Sequence, residues 1–349
     1  ILNYTQPIRA YNALKWRKKT APLQYENAQR AYLETMQDIT INVTNLFFTV
    51  LSAQENYRQS VADYEDRKHL FEIAKKRLDL GTTTKSEVLQ MELSLLNAKM
   101  SVNSTSLTLR TQLFSLFSYL RIVDYGDIEL LPPYYMPEIE MNAEQVLDKA
   151  WTGSSHSIEQ QLNLLESQRA LAEAKANRGL QVEFRGRLGL SQSANELPAA
   201  YRRLKDYETV GLTMTIPIYD WGMGRGKVRM AKTDVEITKT QIEQANIEFA
   251  HDVRTKVLQF NNQAEQCKTS LRAQDIAAER YDIMKKRFEN GSVTVTELNT
   301  AQEEFESAQH QYISQLQQFW TDYYGIQKLT LYDFIRKENI GVNFNDLVN

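Results

Sequence analysis

The chain has 349 residues, 42% of them hydrophobic and 24% charged, with a formal net charge of −3. Its 13 Gly and 7 Pro are far from collagen-like or low-complexity composition, its near-balanced charge gives no basic footprint for nucleic acid, and its single cysteine, Cys267, can neither close an internal disulfide nor build a Cys-rich zinc site. A mean hydropathy of −0.50, with no apolar run of about 18 residues, excludes a transmembrane helix but not a β-barrel, whose strands are short and only half apolar.

Residues 1–8 read as a strand, by analogy with a later segment that they match, and 21–80 as one very long helix. That stretch holds no Gly and only Pro22, at its edge, and at 1.5 Å per residue a helix of this span is about 90 Å long. It ends in Lys75-Lys76-Arg77-Leu78-Asp79-Leu80-Gly81-Thr82-Thr83-Thr84-Lys85-Ser86-Glu87. Gly81 is suited to the left-handed residue that terminates a helix, and Thr84-x-x-Glu87 is a capping box that starts the next one. Leu89, Leu93, Leu96 and Met100 follow at 4-3-4 spacing, the seam of a coiled coil.

Residues 123–141, with Gly126 and the Leu131-Pro132-Pro133-Tyr134-Tyr135-Met136-Pro137 cluster, read as an irregular linker. A helix over 142–177 follows. The period then changes to two. Val182, Phe184, Gly186, Leu188 and Leu190 alternate with polar neighbours or Gly, as do Val210, Leu212, Met214, Ile216 and Ile218, and the two strands bracket a polar loop at 192–206. One apolar and one polar face over about ten residues is the pattern of a membrane-spanning hairpin, lipid outside and water inside.

After Trp221 and Gly222 a second long helix begins, and the tip sequence returns as Lys285-Lys286-Arg287-Phe288-Glu289-Asn290-Gly291-Ser292-Val293-Thr294-Val295-Thr296-Glu297. Gly81 and Gly291, Glu87 and Glu297, and Pro7 and Pro217 all stand 210 positions apart, so the chain is two copies of one long unit. Residues 141–210 have no counterpart before Ile1, and the repeat leads us to expect a helix and a strand ahead of it. Phe305, Gln309, Tyr312, Leu316, Phe319, Tyr323 and Ile326 repeat the seam spacing, and the mixed, aromatic tail at 330–349 is expected beside the linker.

The order of strand hairpin, long helix, glycine reversal and long helix, given twice, resembles the TolC-like outer membrane efflux protein family over essentially the whole chain. Its most specific pieces are Arg77-Leu78-x-x-Gly81 and Arg287-Phe288-x-x-Gly291, each with an acidic residue six positions on, and the junction Ile216-Pro217-Ile218-Tyr219-Asp220-Trp221-Gly222. The first-copy junction keeps Pro7 but has lost the glycine. The resemblance implies a mainly helical fold with a small β part, very long antiparallel coiled-coil hairpins, and β-hairpins that complete a trimeric 12-stranded transmembrane barrel. It implies barrel strands at 1–10 and 181–219, helical hairpins at 12–122 and 222–329 with tips at 80–84 and 290–294, and an equatorial region from 123–178 and 330–349. It further implies a passive exit duct in the cell outer membrane with a long periplasmic extension. The partners would be a periplasmic adaptor, an inner-membrane transporter and outer membrane lipid.

Candidate roles follow on named positions. Arg77, Leu80, Gly81 and Thr82, with Arg287, Asn290, Gly291 and Ser292, form the tips; a hairpin alone has no use for the arginines, so the tips are expected to dock the adaptor. Glu87 and Glu297 cap their helices and, in a trimer with converging tips, would form anionic rings at the pore. Thr300, and Gln90 in the other copy, stand where some family members carry a second acid, so a double ring is incomplete here. Pro7, Pro217, Trp221 and Gly222 mark the barrel-to-helix junctions. The Trp221-Gly222-Met223-Gly224-Arg225-Gly226-Lys227-Val228 run fails the dinucleotide and Walker patterns, having Lys227 where the first needs glycine and Val228 where the second needs Ser or Thr. Four scattered histidines form no H-E-x-x-H pair, no nucleophile elbow is present, and neither an enzyme, a cofactor nor a metal centre is expected. The competing reading is a helical-hairpin scaffold without a pore, which gives no reason for the strict alternation in the strands.

Overall fold

The computed structural model describes residues 2–124, 126, 128–133, 136–191, 205–289, 292, 293 and 295–344. The protein is mainly helical with few strands. In chain order these are β1 (Leu2–Arg9), α1 (Ala13–Asp79), α2 (Lys85–Tyr119), α3 (Ala143–Gly153), α4 (His156–Arg178), β2 (Gln181–Ser191), β3 (Lys205–Thr215), α5 (Met223–Glu289), α6 (Val295–Thr330), β4 (Tyr332–Asp333) and β5 (Glu338–Asn339). None of the described helices is long and apolar enough to cross a membrane. Two compact units form, one from residues 1–32, 154–252 and 344–349, the other from 33–153 and 253–343.

The first unit holds an antiparallel sheet in the order β1-β2-β3. Register is continuous from Gln181↔Thr215 to Ser191↔Lys205, while β1 pairs with β2 from Leu2↔Leu188 to Arg9↔Val182 with a bulge between Pro7 and Arg9. Directly opposed residues share a face, so Leu2, Tyr4, Val182, Phe184, Leu188, Leu190, Val210, Leu212 and Met214 line one side, together with Gln6 and, toward the Lys205 end, Asp206 and Glu208. Asn3, Thr5, Glu183, Arg185, Arg187, Thr209 and Thr213 line the other. β3 ends at Thr215, earlier than the alternating pattern to Ile218 predicts, because Pro217 has no N–H to donate to a ladder. The pairing also begins earlier, at Lys205; residues 192–204, most of the expected loop, lie outside those described. Pro22 lies inside α1, not at its edge. It removes one helix bond, to the carbonyl of Lys18, a water-exposed residue.

The helix expected over 142–177 is two helices, broken at Ser154 and Ser155. The carbonyl of Ser154 accepts Arg30 Nη1 at 2.7 Å. Gly153, the last residue of α3, packs closely within the second unit: a Cβ there would lie 2.0 Å from the carbonyl oxygen of Thr330, at the end of α6.

The core of the second unit is Phe48, Leu51, Cys267, Ile313 and Leu316, flanked by Phe47, Leu130, Met136, Tyr312 and Trp320. Phe260, Phe319 and Tyr323 continue it, with ring centroids 5.1 and 6.2 Å apart from Phe260. On α6 the buried Leu316, Phe319, Tyr323 and Ile326 follow the 3-4-3 seam spacing. Side-chain amides bind the linker as a strand would. Gln54 gives and takes hydrogen bonds with the backbone of Leu130 (2.8 and 2.9 Å), and Asn261 does the same with Met141 (2.9 and 3.0 Å). The tail forms the β4-β5 hairpin, anchored where Asp333 Oδ1 accepts the Tyr323 hydroxyl at 2.7 Å and Lys149 Nζ lies 4.5 Å over the Tyr332 ring. Tyr134, Tyr135 and 345–349 lie outside the described residues.

Candidate functional site at the hairpin tips and strand-helix junction

The first tip is built by backbone chemistry. Gly81, at φ +71°, turns the chain out of α1. Thr82 N donates to Arg77 O at 2.9 Å and Gly81 N to Leu78 O at 2.9 Å, the paired bonds that satisfy the last carbonyls of a helix ended by a left-handed residue. Thr82 Oγ1 adds a bond to Arg77 O at 3.1 Å. The next helix opens on a capping box: Glu87 N donates to Thr84 Oγ1 at 3.3 Å, and Thr84 N to Glu87 Oε2 at 3.0 Å. The Thr83 hydroxyl also donates to Glu87 Oε2. That bond first, and the Thr84 amide second, hold the Glu87 carboxyl below its ordinary value. Leu80 is 76% exposed at the apex. Arg77 lends only its carbonyl to the turn, and its guanidinium has no partner among the described residues.

At the second tip Ser292 N donates to Arg287 O at 2.9 Å, the counterpart of the Thr82 bond, 210 positions on. Asn290, Gly291 and Thr294, the remaining expected tip and cap positions, lie outside the described residues. Glu297 stands in the first turn of α6, and Thr300 Oγ1 donates to Thr296 O at 3.0 Å.

Behind the first tip the sequence missed a polar clasp. Asp66 on α1 accepts Tyr281 Oη at 3.3 Å and Lys285 Nζ at 3.1 Å from α5, and Asp63 accepts Gln302 Nε2 at 3.0 Å from α6. Burial, with the Asp66 carboxylate beside it, raises the Tyr281 phenol. The signal lies in how the copies differ: Tyr281 stands where the first copy has Phe71, whose neighbour Lys75 pairs locally with Glu72.

At the junction Pro7 falls within β1 and Pro217 follows β3. Trp221 (φ +52°) and Gly222 (φ +84°) make the turn into α5. Trp221 is 83% exposed and meets the Tyr219 ring at 4.7 Å. The glycine-rich run carries no vacant anion cradle, because Asp220 itself accepts Gly222 N at 3.0 Å and Gly224 N at 2.8 Å. These two amides, Gly224 first, lower the Asp220 carboxyl.

Cys267 is buried in the core, and burial pushes its thiol up to about 11. His156 stacks on Phe249 at 4.2 Å and shares a 3.1 Å hydrogen bond with Asn246 Oδ1. Among the described residues no group of three or more His, Cys, Asp or Glu is arranged to hold a metal ion.

The family described as outer membrane efflux protein matches residues 1–120 and 154–330. The chain belongs to the outer membrane efflux protein family. No curated protein matches it. Solved structures share the fold. The Campylobacter jejuni CmeC outer membrane channel is 14% identical with a TM-score of 0.72, over 99% of this chain and 72% of that one. The open state of the Neisseria gonorrhoeae MtrE outer membrane channel is 12% identical with a TM-score of 0.71, over 93% and 73%. The Vibrio cholerae outer membrane protein VceC is 13% identical with a TM-score of 0.66, over 94% and 77%. This efflux protein is therefore an outer membrane exit duct, not an enzyme, and works in a tripartite export system with an adaptor and an inner-membrane pump.

Proposed function

We propose that the efflux protein works as a homotrimer whose strands close one 12-stranded barrel in outer membrane lipid, with the long helices of three copies lining a passive tunnel through the periplasm. The observation that carries this reading is the sheet. One face is mainly apolar, with its two acids, Asp206 and Glu208, at the Lys205 end, and the other is polar, and β1 and β3 each leave an edge unpaired among the described residues. Open edges are not tolerated in lipid, so this sheet needs further strands beside both β1 and β3, and other copies of the chain would close the ring. The resemblance implies 12 strands in all, an even number in the range of known barrels. Barrel strands would lie in 1–10 and 181–219 with the loop at 192–206. The hairpins would be 12–122 and 222–329, with 123–178 and 330–349 as an equatorial belt.

In this arrangement Arg77, Leu80, Gly81 and Thr82, with Arg287, Asn290, Gly291 and Ser292, meet the adaptor tip to tip. The exposed Leu80 and the Arg77 guanidinium, which has no partner among the described residues, support that role. Glu87 and Glu297 would ring the pore as a cation-favouring constriction beside Thr300; the lowered carboxyl of Glu87 keeps that charge in place. Pro7, Pro217, Trp221 and Gly222 would join barrel to tunnel, with Trp221 at the membrane interface. The test is extraction: the reading expects a detergent-requiring oligomer that dissociates on gels only after heating. A water-soluble monomer would refute it.

A further inference from the structure

The seam predicted on α2 is not buried. Leu89, Leu93, Leu96, Met100, Leu107 and Phe114 are all more than half exposed, while Val88, Ala98, Leu116 and Phe117 on another face of the helix are covered. Leu93, Met100, Leu107 and Phe114 stand seven apart, so the stripe holds one line along the helix. On α5, Leu258, Ile276 and Ile283 are exposed in the same way.

The internal repeat says how these two faces can meet. Within the chain, α1 and α6 are tied by Asp63 to Gln302 (3.0 Å), Glu55 to Gln309 (3.1 Å) and Asn45 to Thr321 (3.0 Å). The offset of 210 carries α1 onto α5 and carries α6 back onto α2. The same packing then sets Lys99 against Glu265, the counterparts of Gln309 and Glu55. Two to three turns to either side, Glu92 falls against Arg272, Leu89 against Ile276, and Leu107 against Leu258. Lys99, Glu265, Glu92 and Arg272 are exposed and have no ion pair among the described residues. Both ion pairs have opposite signs, and both apolar pairs join residues that the single chain leaves in water; Leu107 is 67% and Leu258 69% exposed. A slip of one heptad would instead set Glu265 against Ser106 in one direction, losing the ion pair, and against Glu92, a like charge, in the other.

We propose that α2 of one copy packs on α5 of a second copy in the register of the chain's own α1·α6 pair, fixed by Lys99–Glu265 and Glu92–Arg272. This rests on the homotrimer reading and adds which faces meet and at which level. The second copy is chosen because the register comes from the chain's own repeat and the charges complement one another without any foreign partner.

The experiment uses the intact protein in detergent, with cysteines introduced in pairs and joined by a short bis-maleimide; Cys267, buried and with a raised pKa, stays silent. L107C with L258C is expected to give covalent dimers and trimers, and the heptad-shifted pair F114C with L258C to give little. If the shifted pair links and the first does not, the register is overturned while the oligomer stands. A product without increased mass would also overturn it. An uncross-linked monomer by native mass spectrometry would remove the oligomer reading together with the register. As a second arm, K99E and E265K should each lower the temperature at which the unheated oligomer dissociates, and the double exchange should recover most of the loss. Additive losses in the double variant would refute the Lys99–Glu265 contact.

Discussion

Gly153→Ala isolates one contact that the fold depends on. The carbonyl oxygen of Thr330 would lie 2.0 Å from the new Cβ and its carbonyl carbon 2.9 Å away. Side-chain carbons essentially never approach within 3.0 Å, so α3 and the end of α6 must separate by at least about 1 Å. Neither side can yield by rotating a side chain. Thr330 is 2% exposed, its hydroxyl bonds Ile326 O at 2.9 Å, and Leu331 N bonds Gln327 O at 2.7 Å. Overpacking a close-packed site costs about 1–3 kcal/mol, and a backbone clash belongs at the upper end. A cost of that size lowers a melting midpoint by a few degrees in a chain this long. Differential scanning fluorimetry in detergent, with Gly153→Val as a graded partner, reads it directly. An alanine variant that melts with the wild type would refute the close approach.

Three further outcomes follow from the tips and the core. Gly81→Val, forcing a β-branched residue to φ +71°, should disturb the reversal and abolish export while the oligomer still assembles; unimpaired export would remove the docking role of the tip. Because folding lowers the Glu87 pKa, its contribution is fully present above the ordinary carboxylate value and fades as pH falls through the lower folded value. Amide exchange at Thr84, compared with pH-matched intrinsic rates, should therefore lose protection only below the ordinary carboxylate value, and Glu87→Gln should flatten that profile; identical profiles would contradict the capping box. Cys267, with its thiol pushed up to about 11, should resist maleimide at pH 8 until the protein is unfolded. Rapid labelling of the native protein would show that the core at Phe48 and Leu316 is open.

What could be read from residues alone was set by local chemistry. Gly81, Thr84 and Glu87 specify a turn whose every bond lies within about ten residues, and the two-residue alternation from Val182 onward can only serve a two-faced strand. The break at Ser154 could not be read, because Gly153 is tolerable in a helix, and the group that requires a glycine there, Thr330, lies far along the chain. Pro22 looked like a boundary, since propensity cannot weigh one lost bond against a helix held by its packing. The seam of α6 is buried as its spacing predicts, whereas the equal spacing on α2 faces water; periodicity identifies an apolar line but not the molecule that covers it. The Asp66, Tyr281 and Lys285 clasp was hidden for a similar reason. It departs from the repeat, and only a fold that brings α1 beside α5 gives the departure a purpose.

The central claim is that several copies of this chain enclose a pore. Single-channel recording on planar bilayers, with detergent-purified protein whose subunit number is counted by native mass spectrometry, tests it most directly. The expected result is a three-subunit species that opens long-lived, water-filled conductances, with cation preference reduced when Glu87 and Glu297 are both exchanged for lysine. Detergent-purified protein that stays monomeric and leaves the bilayer silent would contradict it.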